Sequence, residues 1–336
     1  MNLEKINQIL ESYPPFRRKQ VYDAIFHRLI SDWSEISNLS KELLEMLKKE
    51  CPLEIKAKIF QTKDKKTIKA AIKLSDDKEI ETVLMRHKDN RNTVCVSCQV
   101  GCALDCAFCS TGQQGFCRNL SAEEIILQAL FFTRLLKKEG KRITNVVFMG
   151  MGEPFLNYDN VMKTITWLKD KNKFNIGSRQ ISVSTSGIID GIKKFADEPL
   201  QVNLAFSLHA ADNDLRQSLM PVNISNKLND VLDELAKYIK KTNRRVMIEY
   251  LMLKGINDSE KNVYDLAALL KKKLHRLFFV NLITYNPTKK FQPSSQKEIN
   301  AFKNILEKEG IEVVQRYRFG ADIKAACGQL ASNKKN

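Results

Sequence analysis

The stretch CVSCQVGCALDCAFCSTG, residues 95–112, holds five cysteines: Cys95, Cys98, Cys102, Cys106 and Cys109. The whole chain has eight. Within the stretch, Cys102-Ala-Leu-Asp-Cys106-Ala-Phe-Cys109 spells C-x3-C-x2-C. Such a set can be metal ligands, structural bridges or reactive thiols. A structural zinc site needs a fourth ligand, usually Cys or His at paired spacing. None stands beside this trio. Three cysteines can instead hold three irons of a 4Fe–4S cluster and leave the fourth iron open for a ligand. Cys98-x3-Cys102 repeats the first half of the spacing, but Cys98, Cys102 and Cys106 lack the closing C-x2-C. Spacing alone leaves both registers open.

The surrounding chain bounds the reading. Its 336 residues suit one large domain or two smaller ones, and 43% of them are hydrophobic, enough for a substantial core. The greasiest run, IILQALFFTRLL, is broken by Gln128, Thr133 and Arg134, so no stretch reaches the ~18 apolar residues of a membrane span. The start, MNLEKINQILESYPPF, lacks the apolar block of a signal peptide. A soluble, cytoplasmic protein with no membrane partner is expected. In a reducing cytosol, clustered cysteines are more often ligands or catalysts than bridges. The net charge of +16 favours a polyanionic partner, chiefly nucleic acid. The alternative is a generally lysine-rich surface. The charge is spread out, with concentrations at RRK (17–19), KAKIFQTKDKKTIK (56–69) and KKK (271–273).

Residues 1–52 read as short helices, with Tyr22, Ile25, Phe26 and Leu29 at helical spacing and then Leu43, Leu44 and Leu47. Residues 53–87 read as a small antiparallel unit of three strands, KIFQTK, TIKAAIKL and IETVLMR. From residue 88 to about 320, strand and helix alternate. Strands are expected at NTVCVSC, ITNVVFM, RQISVST, VNLAFSL, RVMIEYLML and FFVNLI. The helix from Ser121 carries Glu124 in capping-box spacing, with Ile125, Ala129, Phe132 and Leu136 along one face. Six strand–helix repeats imply a parallel sheet with helical crossovers. Six are too few for a closed eight-fold barrel, so the expected fold is α/β, a partial (β/α)6 TIM-like barrel with a helical N-terminal unit and a small β extension. Residues 321–336 form a last segment ending in the polar SNKKN. In such sheets the chemistry lies at the C-terminal strand ends. The cysteine loop, GMGEP, STSG, SLH and YNP all fall there.

C-x3-C-x-aromatic-C, with Phe108 as the aromatic, resembles the signature of the radical S-adenosylmethionine (SAM) superfamily. The resemblance implies a 4Fe–4S cluster held by Cys102, Cys106 and Cys109, whose open iron binds SAM and cleaves it to a 5′-deoxyadenosyl radical. The strand-end motifs are similar to that superfamily's SAM contacts. Gly152 and Glu153 match the segment that receives the methionine amino group. Ser184, Ser207, Leu208, His209 and Asn286 match positions that contact the rest of SAM. Each alone is a weak signal: a lone histidine such as His209 is more often structural, and STSG is ordinary loop chemistry.

The set CVSCQVGCALDCAFCSTG, RNLSAEEI, FMGMGEP, STSG, SLH and DIKAACGQL resembles the RlmN/Cfr family of RNA adenine methyltransferases. The wording QVGC and QQGF-x-RNL is nearer the branch that methylates carbon 2 of adenine than the branch that methylates carbon 8. An electron-poor ring carbon cannot displace SAM's methyl group, whereas a thiolate can take it first. The resemblance assigns that role to Cys327, with two SAM molecules used per turnover. Glu81 matches the family's base for the ring proton. Cys95 matches the thiol that attacks the Cys327 sulfur, forms a disulfide and frees the RNA. Without the family, Cys327 reads as a small buried residue and Glu81 as a solvated strand carboxylate. The sequence departs from the family pattern at Cys98, where serine or threonine is expected, at Cys117, and in HKDN, which sets Glu81 one residue further from Cys95. The implied partners are 23S ribosomal RNA, some transfer RNAs and an electron donor of flavodoxin or ferredoxin type, acting on a monomer. The lysine-rich 56–69 unit and the basic helices are expected to grip phosphates. Two other classes compete. A radical SAM enzyme for a small molecule or peptide would not need Cys95 and Cys327. A zinc-knuckle RNA-binding protein would not need the SAM-facing motifs.

Overall fold

The computed structural model describes residues 1–288 and 290–331. SNKKN, the end of the expected last segment, lies outside the described residues. The helical N-terminal unit contains α1 (Leu3–Glu11), α2 (Pro15–Phe26) and α3 (Lys41–Glu50). Ile6, Ile25, Leu43 and Leu47 are fully buried and continuous with the core of the barrel. Trp33 is buried as well, and its indole N–H donates to the carbonyl of Cys51 at 2.7 Å. Cys51 is thus a core residue, remote from the cysteine loop.

Four strands follow: β1 (Ala57–Gln61), β2 (Thr67–Lys73), β3 (Glu79–Arg86) and β4 (Asn92–Cys95). The first three are antiparallel as their alternation predicts, and β3 pairs antiparallel with β4, Val83 opposite Cys95. The extension is therefore continuous with the main sheet. A hairpin not anticipated from the sequence comes next, β5 (Gln99–Gly101) with β6 (Phe116–Asn119). It brackets the cysteine loop. Its strands approach so closely that a Cβ on Gly101, at φ +78°, would lie 1.9 Å from the carbonyl oxygen of Gly115.

The alternating part runs α4 (Ala122–Lys137), β7 (Asn145–Phe148), α5 (Tyr158–Lys169), β8 (Ile181–Thr185), α6 (Ile189–Asp197) and β9 (Asn203–Ser207). It continues with α7 (Asn213–Leu219), α8 (Leu228–Thr242), β10 (Val246–Met252), α9 (Glu260–Leu274), β11 (Phe278–Thr284), α10 (Gln296–Lys308) and β12 (Val313–Gln315). The main sheet has the order β1-β2-β3-β4-β7-β8-β9-β10-β11-β12, and every pairing from β4 to β12 is parallel. This is the partial barrel expected from six repeats. β12 is an added strand of three residues, too short to show a period in the sequence. Strands such as VMIEYLM are apolar on both faces because helices cover one side and the barrel interior fills the other.

The N-terminal unit is fastened to α4. Arg134 donates to the carbonyls of Leu53 and Ile30, and Lys137 to that of Arg28. The helix itself begins at a reciprocal cap. Ser121 Oγ accepts from the Glu124 amide at 3.2 Å, and Glu124 Oε2 accepts from the Ser121 amide at 3.0 Å. Ser121→Ala is expected to cost about 1 kcal/mol, read as a lower urea midpoint with an unchanged slope.

Candidate active site

The strand ends converge on one cavity. Cys102, Cys106, Cys109, Cys95 and Cys327 all line it. So do Gly152, Glu153, Ser184, Ser207, His209 and Asn286. Two expected site residues do not. Leu208 is fully buried in the core, where its carbonyl accepts from Arg216 Nε at 3.2 Å. Glu81 lies two residues beyond the β3–β4 pair that holds Cys95 and stands outside the lining. Cys98 is also in the core, its Sγ directed at the Met151 carbonyl, and Cys117 is exposed on β6. Neither lines the cavity.

The cysteine loop and the C-terminal segment are joined by hydrogen bonds. The Ser110 amide donates to the Gly328 carbonyl at 2.8 Å, and Thr111 Oγ1 donates to the Leu330 carbonyl at 2.6 Å. Asn286, at the end of β11, donates to the Cys327 carbonyl at 3.2 Å. Gly328 takes a positive φ of 79° at this crossing. These contacts bring Cys327 to the cavity wall that also carries Cys95. Burial first, and then the nearby Cys327 thiol, push the Cys95 thiol up to about 12. Arg316 opposes that rise and feels both thiols, Cys327 most strongly.

Arg316 also pairs with Glu249 at 3.1 Å. Glu249 Oε2 accepts from Ser184 Oγ at 2.7 Å and Ser207 Oγ at 3.3 Å. One buried carboxylate therefore ties two expected SAM-contact serines to the arginine beside the reactive thiols. His209 takes a positive φ of 60°, and its Nδ1 accepts from the Leu251 amide at 3.1 Å. Its ring meets Phe108 edge-on at 5.0 Å. Burial pushes its pKa down to about 3, so it is neutral. It braces the aromatic of the cysteine loop.

Glu153 is almost fully buried. Its carboxylate accepts from the amides of Phe155 at 3.1 Å and Ser186 at 2.8 Å. Burial raises its pKa, and those amides oppose the rise. No lysine or arginine pairs with it among the described residues. Gly152 before it takes φ +101°, and a Cβ there would lie 2.6 Å from the Gln99 side chain. Glu81 is paired with Lys69 at 2.7 Å, both side chains buried. Its Oε2 also accepts from the Ala331 amide at 2.9 Å, while Lys69 donates to the Lys324 carbonyl. This corrects one reading: Lys69 does not grip phosphate with the rest of the 56–69 run but holds Glu81 and the C-terminal segment.

The radical SAM superfamily profile matches residues 96–267. The chain is 42% identical to the probable dual-specificity RNA methyltransferase RlmN of Dictyoglomus turgidum, covering 98% of this chain and 94% of that one. It is 40% identical to the ribosomal RNA large subunit methyltransferase N of Nitrosopumilus maritimus, covering 96% and 93%. A solved radical SAM methyltransferase from Sphaerobacter thermophilus superposes with a TM-score of 0.92 at 41% identity, covering 98% of this chain and 97% of that one.

This chain belongs to the RlmN family of the radical SAM superfamily. Its cofactors are a 4Fe–4S cluster and SAM, and the residues present fit both. Cys102 and Cys106 are raised first by burial, Cys102 to about 12, and each feels Cys109. Such crowded, buried thiols hold protons until a metal takes their place. Among the described residues no three His, Cys, Asp or Glu side chains are grouped as a single metal ion needs. The unpaired Glu153 carboxylate suits an ammonium. Behind the loop, the buried Arg216 donates only to neutral oxygens of Leu208, Asn223, Ser186 and Ser207 and lies over the Phe206 ring.

Sequence reasoning missed Arg216, Glu249, Arg316 and Lys69. A signal existed for Glu249, an acid inside the apolar run VMIEYLM. The others show only once distant elements meet. Glu153→Gln is expected to weaken SAM binding about 10- to 100-fold in equilibrium dialysis, with iron content unchanged. Lys69→Met should lower stability by about 3 kcal/mol in urea unfolding. The exposed Lys58→Met should shift it by no more than about 0.5 kcal/mol.

Proposed function

We propose that this protein methylates carbon 2 of an adenine in 23S ribosomal RNA, at the peptidyl-transferase centre, and adenine 37 of some transfer RNAs. The observation that carries the reading is the shared cavity: Cys95 and Cys327 face the same space as the three cluster cysteines. A radical SAM enzyme for small molecules has no need of that pair. Near-full-length similarity to proteins named dual-specificity RNA methyltransferase supports the substrate.

When bound, the cluster and SAM supply a 5′-deoxyadenosyl radical. The chain's residues do the rest. Cys327 attacks the methyl group of one SAM as a thiolate, and S-adenosylhomocysteine leaves. The Arg316 guanidinium lies within electrostatic reach of that sulfur. Loss of a hydrogen atom from the methyl to that radical leaves a methylene radical on the Cys327 sulfur, which bonds to carbon 2. One electron passes from the adduct to a carrier of flavodoxin or ferredoxin type, and Glu81 takes the ring proton. To do so it must release the Ala331 amide from Oε2. Cys95 then attacks the Cys327 sulfur. The sulfur–carbon bond breaks, its electron pair goes to the methylene, and protonation there gives the methyl group. The Cys95–Cys327 disulfide is reduced before the next turnover. An electron donor of flavodoxin or ferredoxin type serves the cluster, and the protein works as a monomer.

The target base leaves its stack to reach the cavity, as enzymes acting on ring carbons require. Exposed Arg18, Lys19, Lys56, Lys58, Lys63 and Lys65 contact phosphates. Reconstituted protein, SAM, a reductant and unmodified 23S RNA should yield 2-methyladenosine by nucleoside mass spectrometry, and Cys327→Ala should yield none. Cys95→Ala should leave the RNA covalently attached to protein. Formation of 8-methyladenosine would move the assignment to carbon 8. SAM cleavage without RNA methylation, with transfer RNA also supplied, would sink the RNA substrate.

A further inference from the structure

We propose that Tyr317, braced by Phe319 and His87, is a stacking platform for the RNA base next to the target adenine. The proposal rests on the RNA reading above and adds a recognition site to it. Among the described residues that line the cavity, Tyr317 and Arg318 alone are exposed. They mark where the cavity meets solvent. Tyr317 is 61% exposed, a large aromatic left uncovered at the entrance to a catalytic space.

Its support is built from two chain segments. Tyr317 meets Phe319 edge-on at 4.8 Å, and Phe319 meets His87 edge-on at 4.9 Å. His87 lies in the β3–β4 turn, where its Nε2 is 2.9 Å from Thr93 Oγ1. Tyr317 and Phe319 follow β12. The aromatic ladder therefore bridges the antiparallel extension and the far end of the parallel sheet. Burial lowers the pKa of His87, which keeps the ladder uncharged. Tyr317 is its outermost rung.

The chemistry of the rim selects the partner. Arg318 stands beside Tyr317 and donates from Nε to Asn286 Oδ1 at 2.6 Å. Asn286 in turn holds the Cys327 carbonyl. The β3–β4 turn adds the exposed Lys88 and Arg91, the latter paired with Asp89. An aromatic face next to a guanidinium and further cations matches a nucleotide, whose base stacks and whose phosphate is anionic. Cys327 lies deeper, so the base that reaches it is the target. The base at the rim is its neighbour, held while the target is drawn in.

The test uses reconstituted protein without reductant and a 23S RNA fragment containing the target adenine, with 2-aminopurine at the adjacent position. Wild type should bind and quench the 2-aminopurine. Tyr317→Ala should weaken binding about 5- to 100-fold and abolish the quenching. Its SAM affinity and melting midpoint should stay unchanged. Tyr317→Phe should retain both binding and quenching. Equal binding and quenching by Tyr317→Ala overturns the platform. So does a wild type that binds the fragment without quenching and methylates it once reductant is added, which leaves the RNA reading intact. A wild type that binds SAM but not the fragment overturns the RNA reading and the platform with it.

Discussion

The site depends on the two hydrogen bonds that seat the C-terminal segment on the cysteine loop. Thr111 and Leu330 stand 219 positions apart in the chain, yet their contact is a single 2.6 Å bond. With the Ser110–Gly328 bond beside it, the backbone after Cys109 becomes the bed for the backbone after Cys327. Each bond alone contributes about 1 kcal/mol. Together they bring Cys327 to the cavity that the strand ends define. The positive φ at Gly328 and the Asn286 contact serve the same seating.

Around that junction, buried charges are arranged in pairs, with one exception on each side. Glu249 pairs with Arg316, and Glu81 pairs with Lys69. Glu153 and Arg216 have no oppositely charged partner among the described residues. Uncompensated buried charge is costly, so it persists where a ligand completes it. Glu153 is complementary to the ammonium of SAM. Arg216 is close enough to Cys106 to be favoured in its charged form by a thiolate there.

Much of this was legible in the sequence because it was local. A signature within eight residues picked out Cys102, Cys106 and Cys109, and the S-x-x-E at Ser121 located the start of α4 to the residue. Alternation of apolar strands with amphipathic helices located the parallel strands, and each strand end carried its motif. What escaped was non-local. β12 and the β5–β6 hairpin are too short to show a period. Lys69 looked like one more cation in a basic run, and only its place on β2, between β1 and β3, buries it. Arg316 is ordinary in QRYR until the chain folds it against Glu249. Leu208 sat in a motif that faces the cavity, but its side chain turns into the core, as strand alternation allows.

The 219-residue separation also has a meaning in time. Chains are made from the N-terminus at about 5–20 residues per second, so the cysteine loop is complete about 10–45 s before the segment that covers it exists. During that interval Cys102, Cys106 and Cys109 belong to a nascent chain in which Cys327 has not been synthesised. A cluster delivered then would meet an open loop. One delivered later would have to enter past Tyr317 and Arg318.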